Sequence, residues 1–157
     1  GVRRVCTRQK DPMGVVSLVN ILVTPLKRIP AVGGDVMHVL KNSDNGFNGF
    51  GEVYFSWVEQ GAIKAWKCHQ HMTLNLVVPV GEVSFVFHIK DQKNCFRTEI
   101  IGEERYVRLT VPPGIWFGFQ GIASGRSLLM NLADMTHNPD EVLRKKTSEI
   151  DYNWSTK

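Results

Sequence analysis

No hydrophobic run in this 157-residue chain approaches the roughly 18 to 20 residues that a membrane-spanning helix needs. The longest, "LNLVVPV" at 74–80, has a strand's length and contains Pro79. No membrane association is expected. Cysteine is scarce as well. Cys6, Cys68 and Cys95 are odd in number, scattered and without CxxC spacing, which argues against a disulfide framework and a zinc knuckle and fits a reducing cytoplasm. The body of the chain also lacks a charge excess. The net charge of +4 is 19 basic minus 15 acidic residues. Four bases (Arg3, Arg4, Arg8, Lys10) against Asp11 put three of those charges in residues 1–12. From Met13 onward there is no electrostatic reason to expect nucleic acid. Residues 1–12 are expected to be a tag or a non-native arm, with the natural start at Met13 and a single domain over residues 13–157. Repeats, low-complexity runs and linkers long enough to separate two domains are absent too.

What remains is a succession of short β-rich runs punctuated by Gly, Pro and Asn: "EVYFSWV", "AIKAWKCHQ", "TLNLVVPV", "EVSFVFHI", "RYVRLTV", "IWFGFQG" and "SLLMNLA". Strands of this length at this spacing predict an antiparallel sandwich or barrel. Only "NPDEVLRKKTSE" at 138–149 reads as helix, with Asn138 as N-cap, Pro139 at the first helical position and acids in the first turn. The sequence therefore predicts an all-β fold with one short C-terminal helix.

Alternation along two strands selects the candidate site. Glu52, Tyr54 and Ser56 share one face of "EVYFSWV". In "AIKAWKCHQH", Lys67, His69 and His71 share one face, and Lys64, Trp66 and Cys68 the other. Ionisable side chains on an inner face are costly unless they line a wet cavity, so a hollow barrel is expected with that cavity as the site. A histidine with its ordinary pKa of about 6.5 suits proton abstraction beside a ketone, and a neighbouring cation stabilises the enolate formed. The His69/His71 pair thus offers a candidate base, with Lys64 and Lys67 as candidate cations and Tyr54 as the candidate acid; the alternative is that both histidines are incidental polar residues at a strand end.

A metal role for the histidines is tested against the cupin metal motifs, which "G61…H69QH71…N75…G81" and "P112PGIWF117" resemble. Asn75 stands for the carboxylate and Phe117 for the last histidine, and a phenyl ring coordinates no cation. No metal is expected.

The stretch "GDVMHVLK…FGEVYFSWVEQGAIKAWKCHQH…VVPVGEVSFVF…VRLTVPPGIWFGF" resembles the dTDP-4-dehydrorhamnose 3,5-epimerase family and the related dTDP-sugar 3,4-ketoisomerases over roughly residues 23–154. The resemblance implies a cupin-type antiparallel jelly-roll barrel and isomerisation of a dTDP-4-keto-6-deoxyhexose without metal or organic cofactor. Catalysis would fall to His69, Lys67 and Tyr54. Substrate would be held by Lys64, His71, Glu52, Trp66, Asn75 and Arg108. The assembly implied is a homodimer joined through N-terminal strands. "H69QH71" matches the ketoisomerases more literally, so 3,4-ketoisomerisation is the alternative activity, and a non-catalytic sugar-nucleotide-binding cupin is the alternative outside enzymes. The epimerases' Gln-x-Asn-x-Ser is replaced by Glu52, Tyr54 and Ser56, their Tyr-Lys falls on Met130-Asn131, and the carboxylate partner of the base is implied beyond "IDYNW".

Overall fold

The computed structural model describes residues 16–155 apart from 91, 93 and 94. The expectation of a non-native arm over residues 1–12 lies outside the described residues. Two five-stranded antiparallel sheets make up the body. The first has the order β1 (Leu22–Pro25), β9 (Val107–Val111), β6 (Leu74–Val80), β11 (Ser127–Ala133), β4 (Glu52–Val58). The second runs β12 (Val142–Arg144), β5 (Ile63–His69), β10 (Trp116–Gly121), β7 (Glu82–His88), β8 (Phe96–Gly102). A small ribbon pairs β2 (Arg28–Ile29) with β3 (Val36–Met37). From β4 onward every connection except β7–β8 crosses between the large sheets. Gly81 makes one such crossing at φ +83°, where a Cβ would also collide with the Ser127 side chain; only glycine fits there.

Period-two alternation explains which faces meet. Leu74, Leu76 and Val78 of the first sheet pack with Val83, Phe85 and Phe87 of the second in one buried core. Removing each such side chain from water contributes about 1.5–3 kcal/mol. The intervening residues point outward. On the first sheet these include Asn75, Arg108 and Thr110, all buried beneath the 39–46 loop. On the second sheet, Trp66, Cys68, Val86 and Trp116 form a second core closed by Ile150, Tyr152 and Trp154 from the C-terminal segment.

The helix expected over 138–149 does not form. Pro139–Glu141 makes a single 3-10 turn, Val142–Arg144 is a strand paired with β5, and Thr147–Glu149 is another 3-10 turn. The helix-start signals are real, since the Asn138 side chain accepts from the Asp140 amide. The free edge of β5 then captures the chain, and tertiary pairing overrides local propensity. Among the described residues no helix is long and apolar enough to cross a membrane.

Candidate functional site

Apolar side chains fill the space between the sheets except near β4, β5 and β12. There, a cavity of about 370 Å³ opens. Glu52, Tyr54 and Ser56 of β4 line it as their alternation predicts, together with Lys67 and His69 of β5. Lys64 lines it too, although strict alternation puts it on the other face. The cause is a bulge. Ala65 pairs with Gly118 and Lys67 with Phe117, so Trp66 has no partner on β10. One extra residue reverses the facing on either side of it. Lys64 and Lys67 both end inside, and the Trp66 ring packs outward.

His69 ends β5, and Glu141 lies immediately before β12, whose Val142 pairs with His69. This register sets Glu141 Oε1 against His69 Nδ1. The second oxygen, Oε2, accepts the amides of His71 at 3.1 Å and Met72 at 3.3 Å. Glu141 is only 3% exposed. Burial alone pushes its carboxyl upward. The His69 hydrogen bond, the His71 amide, the charge of His69 and the Met72 amide together hold it below the usual range. A buried carboxylate fixed on Nδ1 orients the imidazole and leaves Nε2 as the exchanging nitrogen. The carboxylate expected beyond "IDYNW" is therefore supplied from within the chain.

On the facing sheet, Tyr54 receives a 3.0 Å hydrogen bond from Asn131 Nδ2. Burial raises the Tyr54 phenol above its ordinary value; the Asn131 bond opposes that, and the Glu52 carboxylate adds to it. The phenol stays protonated. At the rim, Lys64, Lys67 and Arg144 converge. Burial first, then repulsion from Arg144 and Lys64, lowers the Lys67 ammonium. Crowded cations of this kind form a receptor for an anion.

The structure does not bring the remaining predicted residues to the cavity as ligands. His71 lies past the end of β5 and is exposed, so only its backbone serves the site. The Trp66 ring is 1% exposed, donates from Nε1 to the Thr147 carbonyl at 3.2 Å and packs on Tyr152 and Trp154. Arg108 is wholly buried on the outer face, held by Asn75, the Val39 and Asn45 carbonyls and, at 3.5 Å, Asp44. Asn75 also binds Thr110 at 2.6 Å and the Gly46 carbonyl. Asn75 and Arg108 anchor the 39–46 loop on the outer face of their sheet, away from the cavity. Conversely, Asn131 and Arg144 line the cavity and Glu141 is buried behind His69; all three escaped the sequence reading. Asn131 had a visible signal: it is an amide on the otherwise non-ionisable inward face of "SLLMNLA". Glu141 had a misleading one, because an acid two residues after proline reads as a helix start.

Among the described residues no three His, Cys, Asp or Glu side chains gather as a metal-binding group. Phe117 stacks against His69 at 6.1 Å.

Comparison with known proteins bears on this arrangement. The dTDP sugar isomerase of Desulfovibrio desulfuricans G20 is 31% identical, with 87% of this chain and 91% of that one aligned at a TM-score of 0.80. The chain belongs to the dTDP-sugar isomerase family. Spore coat polysaccharide biosynthesis protein SpsL of Bacillus subtilis (strain 168) is 24% identical over 131 residues, 78% of this chain and 87% of SpsL. The dTDP-4-dehydrorhamnose 3,5-epimerase of Sulfolobus tokodaii shares the fold at 19% identity and a TM-score of 0.73, over 86% of this chain and 82% of that one. No family model matches the chain. The site differs from the sequence expectation in one respect above all: Glu141 comes from the segment just before an edge strand.

Proposed function

We propose that the protein is a dTDP-sugar isomerase of the 3,5-epimerase type, acting beside the 4-keto group of a dTDP-4-keto-6-deoxyhexose within a cupin-type jelly roll. The observation that carries this reading is the His69–Glu141 pair on one wall of a cavity whose other wall presents Tyr54. His69 Nε2 takes the proton from the carbon next to the ketone. The electron pair of that C–H bond becomes the enolate, whose oxygen is stabilised by the Lys67 and Lys64 ammonium groups. Tyr54 returns a proton from its O–H to the opposite face of the carbon; the His69 imidazolium then releases its proton to solvent and the phenolate regains one from it. Inversion requires this two-sided supply of protons. Every step runs through side chains and needs no cofactor.

Family membership supports the dTDP-sugar class, and Arg144 suits its diphosphate. We place the enzyme in the cytoplasm and assign it a homodimeric state. In a 3,4-ketoisomerase using both histidines of "H69QH71", the two would share the proton work. The exposure of His71 disfavours that alternative.

The test is nuclear magnetic resonance of dTDP-4-keto-6-deoxyglucose incubated in deuterium oxide. Deuterium at C3 and C5 is the expected result. Deuterium at C3 alone means ketoisomerase, and none means a binding protein. His69→Asn should fold normally and lose at least ~10²-fold in exchange, the usual contribution of a general base. His71→Asn should lose much less.

A further inference from the structure

Asn131 sits on the cavity wall and is only 9% exposed. Its Nδ2 donates to Tyr54 Oη at 3.0 Å, whereas its Oδ1 is buried with no hydrogen-bond partner. Buried side-chain acceptors are nearly always satisfied, so an orphan on a residue that lines a cavity calls for a partner that arrives from outside. Tyr54 accepts from Asn131, and its own proton is therefore free to point into the same space. The two residues present one acceptor and one donor side by side, on the wall facing His69.

We propose that Asn131 is a specificity-determining residue: its Oδ1 accepts a hydrogen bond from a sugar hydroxyl of the bound substrate, while its Nδ2 holds the Tyr54 phenol with its proton turned toward the reacting carbon. This inference rests on the sugar-nucleotide reading above. A ligand lacking the hydroxyl would leave the Asn131 carbonyl buried and unpaired, which is how a polar site rejects a close analogue. The neighbouring Leu76, Phe85, Phe119 and Leu129 are apolar, so on this sheet the other side-chain acceptors along the cavity are Glu52, Tyr54 and Ser56 of β4.

The test measures affinity as well as turnover, so the two readings fail separately. Calorimetry would compare dTDP, the unreactive dTDP-glucose and its 2-deoxy and 3-deoxy analogues. Wild type should bind one of the deoxy sugars about tenfold or more weakly than dTDP-glucose. Asn131→Leu should bind all three sugars within about twofold of one another and leave the affinity for dTDP unchanged. Asn131→Asp retains an acceptor in place of Oδ1 but has no donor for Tyr54. It should keep the deoxy discrimination while C5 deuterium exchange on the keto sugar falls at least about tenfold. Discrimination that survives in Asn131→Leu, or that is absent from wild type, overturns the inference. If the leucine variant does not fold, loss of discrimination in Asn131→Asp overturns it instead. A protein that discriminates between the sugars yet exchanges no deuterium retains Asn131 as a hydroxyl reader and loses the epimerase assignment. One that binds none of the four ligands loses both.

Discussion

At the level of single residues, the site depends on charges held where water would otherwise weaken them. Glu141→Gln keeps the shape but removes the carboxylate that orients His69, and it should slow deuterium exchange by roughly 10²-fold. The same variant carries a pH signature. The Glu141 carboxyl is depressed in the folded state, so its stabilising contribution is complete above the unfolded pKa and fades as pH falls through the lower folded value. Wild type should therefore lose melting temperature on acidification more steeply than Glu141→Gln. Lys67 behaves in the opposite sense. Its ammonium is destabilised by burial, Arg144 and Lys64. Lys67→Met should leave the melting temperature unchanged or raise it, yet weaken turnover by about tenfold or more by removing charge stabilisation from the enolate. A variant that melts lower and turns over normally would show that Lys67 serves packing alone. These residues were unequally legible. Tyr54, Lys67 and His69 follow from alternation within single strands, whereas Glu141 acts on a histidine 72 positions away, and no local pattern reports such a pairing.

At the level of elements, β12 decides whether the site exists. It is short and lies at the sheet edge. Just beyond it, Lys145 and Trp66 exchange backbone hydrogen bonds of 3.1 and 3.0 Å. Lys145→Pro removes the donor of one. The barrel core should survive, because the main apolar cluster lies elsewhere, but exchange activity should fall as Glu141 loses its placement. Circular dichroism that stays native while activity drops is the expected pair of readings; unchanged activity would show that β12 does not hold Glu141. The sequence conveys the strand-rich body well, since "LNLVVPV" and "EVSFVFHI" alternate or run apolar as buried strands do. It fails at β12 because "NPDEVLRKK" carries helix-start chemistry that only the free edge of β5 overrides. The bulge at Trp66 was equally hidden. A single inserted residue leaves composition unchanged and reverses the facing of Lys64.

For the molecule as a whole, one ground for a dimer changes. Part of the apolar N-terminal run is satisfied inside the chain, with Leu18 and Ile21 buried in the core, the Leu18 and Ile21 carbonyls held by Arg97, and β1 paired to β9, although Val19 stays exposed. The exposed apolar residues of edge strand β4 are different: Val53, Phe55 and Trp57 are 47%, 61% and 45% exposed on its outer face. A row of that kind on an open edge invites a second copy of the chain. Sedimentation should give a dimer, and Phe55→Lys should shift it toward monomer; a monomeric wild type would remove the homodimer from the proposal. The reach from His69 to Glu141 also bears on biosynthesis. At about 5–20 residues per second, the ribosome makes the carboxylate roughly 4–14 s after the imidazole. The strands from β6 to β11 are all translated in that interval. A nascent chain can thus assemble most of its sheets, and admit a sugar nucleotide between them, before it possesses the group that orients its base. Catalytic competence arrives as a late event in synthesis, and a chain that stopped between Ala133 and Glu141 would hold every strand up to β11 yet lack the group that orients its base.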